Sequence, residues 1–125
     1  MSDIANRFFT LATLAVVLGM IWGLQMAASH DHAMKTAHAH LNLVGWVTMG
    51  LFGIYYRLTP VAAAATLARV HFWVALAGLV VMVPGIAMAT SGGSEALAII
   101  GSFLSFGSML IFGFTVLRNG LGSPA

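Results

Sequence analysis

Apolar residues in this chain come in long blocks rather than in amphipathic stripes. Residues 8–28, 38–56, 70–90 and 96–117 contain no Asp, Glu, Lys or Arg. Each block is about 20 residues long, the length at which a helix rising 1.5 Å per residue crosses the hydrocarbon core of a bilayer. The pattern predicts an all-α integral membrane protein, a four-helix up-and-down bundle with helices over about 8–28, 38–58, 70–90 and 96–117. Short connections make sequential helices antiparallel neighbours, so residues 1–125 form one transmembrane domain.

Punctuation along the chain supports these boundaries. Ser91-Gly92-Gly93-Ser94 reads as a tight turn, and the linker 58–68, with Pro60 and a run of alanines, as a short turn partly helical along the membrane surface. Gly19 and Gly23 in the first helix, and Gly101, Ser105 and Ser108 in the fourth, are small residues that favour close packing between membrane helices. Pro84-Gly85 predicts a kink in the outer half of the third helix, which reads first as a packing feature, with a cavity below the histidines as the alternative. Residues 119–125 form a short tail expected to fray.

Composition agrees with the blocks. The chain is 60% hydrophobic and 6% charged, whereas soluble domains are about 25% charged. Five basic residues against three acids leave no nucleic-acid footprint. Their positions say more than their sum. Arg7, Arg57, Arg69 and Arg118 fall on one side of a four-span arrangement and Lys35 on the other, so the positive-inside rule places both termini in the cytoplasm. For a bacterial inner membrane the loop 29–37 then faces the periplasm. Arg7, the apolar run and Met26-Ala27-Ala28-Ser29 imitate a signal peptide, but the run is long enough to span and reads as a retained helix. The absence of cysteine excludes disulfides, thiolate zinc sites, iron–sulfur clusters and thioether-linked heme. No Walker loop, dinucleotide fingerprint, nucleophile elbow or pair of catalytic carboxylates occurs, so hydrolytic chemistry has no support.

The candidate chemistry lies in Thr36-Ala37-His38-Ala39-His40-Leu41-Asn42-Leu43. Ligand-capable side chains at the mouth of a membrane helix are costly and usually functional. Residues two apart on a helix point about 200° away from each other, so His38 and His40 serve two sites rather than one ion. Below His40 the α-helical period places Val44, Val47 and Leu51, an apolar wall suited to a porphyrin face with the imidazole as axial ligand. Below His38 it places Asn42, Gly45 and Met49. The competing reading is that both histidines are interfacial and only cap the helix start. His30 and His32, flanking Asp31, form a candidate copper or zinc site that Met26, Met34 or Met88 would complete with sulfur; the competing reading is a hydrated loop. His71, on the opposite side of the bilayer beside Arg69 and Trp73, is expected at the interface.

His38-Ala39-His40-Leu41 at the head of an apolar helix resembles the tenth helix of heme–copper oxidase subunit I, nearest to the nitric oxide reductase form. Arg69-Val70-His71-Phe72-Trp73 resembles the start of the eleventh helix of that family. The resemblance covers 37–79, a third to a half of the chain, with the first and last helices corresponding loosely to the ninth and twelfth. It implies that His38 is the counterpart of the high-spin heme ligand and His40 of the low-spin heme ligand. Subunit I has twelve helices, however, and its second-helix histidine and copper ligands have no counterpart here. The resemblance therefore implies heme b binding with electron transfer or gas sensing, and no catalysis by an isolated chain. Three copies of a four-helix chain would recreate a twelve-helix ring, so a homo-oligomer with hemes between protomers is the implied assembly. The alternatives are a heme-free copper-binding or assembly module and a structural accessory subunit.

Overall fold

A computed structural model describes residues 3–122. Among them every regular element is helical: α1 (Ile4–Ser29), α2 (Lys35–His40), a π-helical stretch (Leu41–Thr48), α3 (Met49–Leu58), α4 (Pro60–Ala63), α5 (Thr66–Thr90) and α6 (Ala96–Asn119). Three of them, α1, α5 and α6, are long and apolar enough to cross a membrane. At 24 to 26 residues they are about 36–39 Å long, more than the hydrocarbon core requires.

The ends of these helices follow from local chemistry. Asp3 caps α1, its carboxylate accepting from the Asn6 backbone N–H at 2.8 Å, which satisfies one of the free donors of the first turn. His30 ends α1 in the left-handed region, φ 57°, where histidine is enriched among non-glycine residues. Pro60 opens α4, where its missing N–H costs nothing. Beyond α6, the Tyr55 hydroxyl donates to the Gly120 carbonyl at 2.7 Å, and the Gly122 N–H donates to the buried Thr59 hydroxyl at 3.0 Å. These two bonds tie the end of α6 to the end of α3.

The second apolar block differs from expectation in its hydrogen bonding. Residues 35–58 run without interruption through α2, the π stretch and α3, but they are not one regular α-helix. The residues meeting α1 show why. Asn42 lies against Gly19, Gly45 against Ala15, Gly50 against Ala12 and Gly53 against Ala5 and Phe9. The step from Gly45 to Gly50 takes five residues where an α-helix would take three or four. The π stretch absorbs that extra residue.

Small residues set the other principal interface. A side chain on Gly101 would run into the Met82 backbone, and one on Gly85 into the backbone of Leu97 and Ala98. Ser105 occupies the space beside Gly78. Gly85, next to Pro84, thus packs on the first turn of α6, and α5 continues through the proline. The core sits toward the end of the bundle holding α4. Phe8, wholly buried, is its hub, with ring centroids 5.4 Å from Phe52, 5.7 Å from Tyr56 and 5.1 Å from Phe72. Outside this core, large apolar side chains of α1 and α6, such as Leu24 and Phe103, face outward, as a lipid environment requires.

Candidate functional site

The fold places the histidines in three different settings. In the last turn of α2, His40 and His38 diverge as their spacing demands. His40 is half-buried, and its Nδ1 lies 2.8 Å from the Thr36 carbonyl one turn back. A carbonyl only accepts, so Nδ1 carries a proton, and it is Nε2 that holds the lone pair in the neutral ring. That Nε2 meets no hydrogen-bond partner among the described residues.

His38 turns toward α1. Its Nε2 accepts from the Asn42 side-chain amide at 3.1 Å and lies where a Cβ on Gly23 would come within 3.2 Å. The Trp22 ring meets it edge-on, with centroids 6.4 Å apart. Gly19 and Gly23 therefore make room for two polar side chains, Asn42 and His38, rather than for an approaching backbone. Asn42 Oδ1 is buried without a partner among the described residues.

The wall below His40 is not the one the α-helical period gives. Val44 is half-buried and packs against the core. The exposed face carries Leu43, Val47 and Leu51 instead, at 61%, 45% and 58% exposure. It remains apolar. The five main clefts among the described residues are lined by residues other than His38 and His40. The imidazole beside this open apolar face offers a flat ligand one wall.

In the loop before α2, the Asp31 carboxylate accepts from the Ala33 N–H at 3.0 Å, and His30 serves as the end of α1. Met26, offered by the sequence as a sulfur ligand, is buried in the bundle. Among the described residues no group of three or more His, Cys, Asp or Glu side chains is placed to hold a metal ion.

His71 departs most from expectation. It is wholly buried inside the bundle rather than exposed at its surface, with Nδ1 2.8 Å from the Tyr56 hydroxyl. Its ring lies 4.5 Å from Phe52, 5.0 Å from Phe8 and 5.7 Å from Phe112. Nε2 is buried with no partner among the described residues. Depth along a span gives no information about face, and His71 shares the inward face of α5 with Ala68, Phe72 and Ala75. The signal for its partner was in the chain. Tyr56 and His71 stand at nearly equal distances on either side of the linker 58–68, so an antiparallel pair of helices brings them level.

No family model, curated protein or solved structure matches the chain.

Proposed function

We propose that the chain is a four-span membrane protein that binds heme b through His40 between copies of itself, in the service of electron transfer or gas sensing. In this reading residues 35–58 are the fourth span, Arg7, Arg57, Arg69 and Arg118 mark the cytoplasmic end with both termini, and the α2 end faces the periplasm of a bacterial inner membrane. The observation that carries it is the state of His40: Nδ1–H is held by the Thr36 carbonyl, and Nε2 is free above an exposed apolar face. A ring nitrogen anchored in this way fixes the tautomer and raises the basicity of the other nitrogen as a metal ligand. Bound heme iron would supply one-electron redox chemistry or a gas-binding position. The protein would hold the imidazole still and shield the porphyrin face with Leu43, Val47 and Leu51. A second chain would supply the opposite wall. His38, engaged by Asn42 and backed by Gly23, stands second to His40 as a ligand.

The test is a reduced-minus-oxidised spectrum of the full chain purified in mild detergent, with pyridine hemochrome analysis. The expected result is a b-type spectrum that persists in the loop variant His32→Ala and disappears in His40→Ala. A colourless protein, or a pigment unchanged in His40→Ala, overturns the proposal. Native mass measurement of the pigmented protein should show more than one copy, and heme carried by monomers would refute the shared site.

A further inference from the structure

At the end of the bundle opposite His40, a cleft of about 450 Å³ opens between the start of α1, the end of α3, α4 and the start of α5. Arg7, Arg57 and Arg69 line it, with Asp3 as the acid among its lining residues. Arg57 is engaged by Asp3, at 3.4 Å, and by the Asn6 side-chain carbonyl at 3.1 Å. Arg69 reaches the Thr66 hydroxyl at 3.4 Å. The Arg7 guanidinium meets no partner among the described residues. The cleft thus holds three guanidinium groups against one carboxylate, and Arg7 and Arg69 are without an acidic partner.

A second groove of about 280 Å³ adjoins it between α1 and α3 and shares Ala5 and Arg57 with it. Its lining is mainly apolar, with Phe9, Ile54 and Leu58. These three side chains are 42%, 46% and 52% exposed, apolar surface of the kind a bilayer covers. A charged cleft at the membrane boundary that continues into an apolar groove along the membrane face has the shape and polarity of one amphiphile.

We infer that the cleft and the groove together form a binding site for an acidic phospholipid. The headgroup phosphate lies between Arg7 and Arg69, and an acyl chain follows Phe9, Ile54 and Leu58. Guanidinium groups are well matched to phosphate oxygens, which they engage in bidentate fashion, and basic pockets between membrane helices are recurrent sites for anionic headgroups. The excess positive charge selects a lipid with net negative charge over a zwitterionic one, whose ammonium would be brought toward the same guanidinium groups. The apolar groove selects a lipid over free phosphate, which has nothing to place there. The site does not depend on heme binding at the other end of the bundle.

The test is native mass spectrometry of the full chain in a neutral detergent, titrated separately with dioleoylphosphatidylglycerol, dioleoylphosphatidylcholine and inorganic phosphate. The expected result is a phosphatidylglycerol adduct retained in strong preference to the other two and weakened by added salt, since an exposed ionic contact is screened. The double variant Arg7→Gln/Arg69→Gln should weaken it roughly ten- to thirty-fold, the scale for losing two arginines at a membrane surface. Arg118→Gln, outside the cleft, should leave it unchanged. Equal retention of the two lipids, a double variant that binds like wild type, or insensitivity to salt overturns the inference. Retention of inorganic phosphate as strong as that of the lipid overturns the lipid assignment in favour of a free anion. The salt series uses the wild-type chain and reads the site even if the double variant fails to fold.

Discussion

The Tyr56 hydroxyl and His71 Nδ1 lie 2.8 Å apart inside a cage of phenylalanine rings, in a bundle with few other side-chain bonds between its helices. Each side chain is all but inaccessible, at 1% and 0% exposure. Leaving a buried polar group unpaired costs about 1–3 kcal/mol. Tyr56→Phe removes the one partner of an imidazole whose other nitrogen already lacks one. We expect it to destabilise the protein by about 1–3 kcal/mol in reversible unfolding from detergent. The double variant Tyr56→Phe/His71→Phe should cost less than the sum of the singles, with a coupling of roughly 0.6–1.7 kcal/mol. Strict additivity would show that the bond contributes nothing to stability.

Two glycines of α6 allow a sharper test of helix packing. A Cβ on Gly101 would run into the Met82 backbone, whereas a Cβ on Gly107 meets nothing within 4 Å. Replacing a helical glycine by alanine favours the helix by about 1 kcal/mol, and forcing atoms into a packed interface costs about 1–3 kcal/mol. Gly107→Ala should therefore leave the unfolding midpoint unchanged or raise it, and Gly101→Ala should lower it. Similar midpoints for the two variants would mean that α5 and α6 do not pack as closely as described.

Charge-free blocks and their lengths made most of the helices legible, because an apolar stretch of about 20 residues has few alternatives to a membrane helix. The boundaries of α5 and α6 lie close to the ends of their blocks for that reason. Faces were harder to read. A helix that is apolar all round carries no amphipathic stripe, so nothing in the local pattern announced that Phe8 and His71 point inward while Trp73 points out. Hairpin geometry held that information for Tyr56 and His71. Extrapolation below His40 failed at Val44 because i+3 and i+4 both lie beneath a helical residue, and only packing against α1 decides that Leu43 rather than Val44 stays exposed. His38 and His40 themselves behaved as their spacing required, diverging to opposite sides. The arginine cleft was readable only as far as the sidedness of Arg7, Arg57 and Arg69, since the position of α4 beside them is tertiary.

The start of α1 makes a pH-dependent prediction. The Asn6 backbone N–H, with the Arg57 guanidinium assisting, holds the Asp3 carboxyl below its ordinary value. A carboxylate with a depressed folded-state pKa stabilises the fold above its unfolded value, near 3.9. That contribution is lost as pH falls through the lower folded value. The Asn6 amide resonance should therefore shift with a midpoint below the ordinary carboxylate range in the wild-type chain. In Asp3→Asn the side-chain carbonyl still caps the helix but the titration step should be absent. A midpoint at or above the ordinary value would show that the cap does not form.

The extra residue between Gly45 and Gly50 leads to a prediction that separates fold from function. Five residues there cover one turn against α1, with Gly45 meeting Ala15 and Gly50 meeting Ala12. The Thr48 hydroxyl supports the wide turn by donating to the Leu43 carbonyl at 2.9 Å. Deleting exposed Val47 would reduce the step to four residues, which an ordinary α-helical turn accommodates with both glycines still facing α1. The deleted chain should therefore fold, with an unfolding midpoint at or above that of wild type. If it unfolds instead, the wide turn is a requirement of packing rather than a tolerated insertion. Turns of this kind are frequent at functional sites, and this one lies directly below His40. Should the wild-type protein prove to carry heme, the deletion should weaken the pigment while leaving stability intact, because it removes one side chain of the apolar face beneath the free imidazole nitrogen.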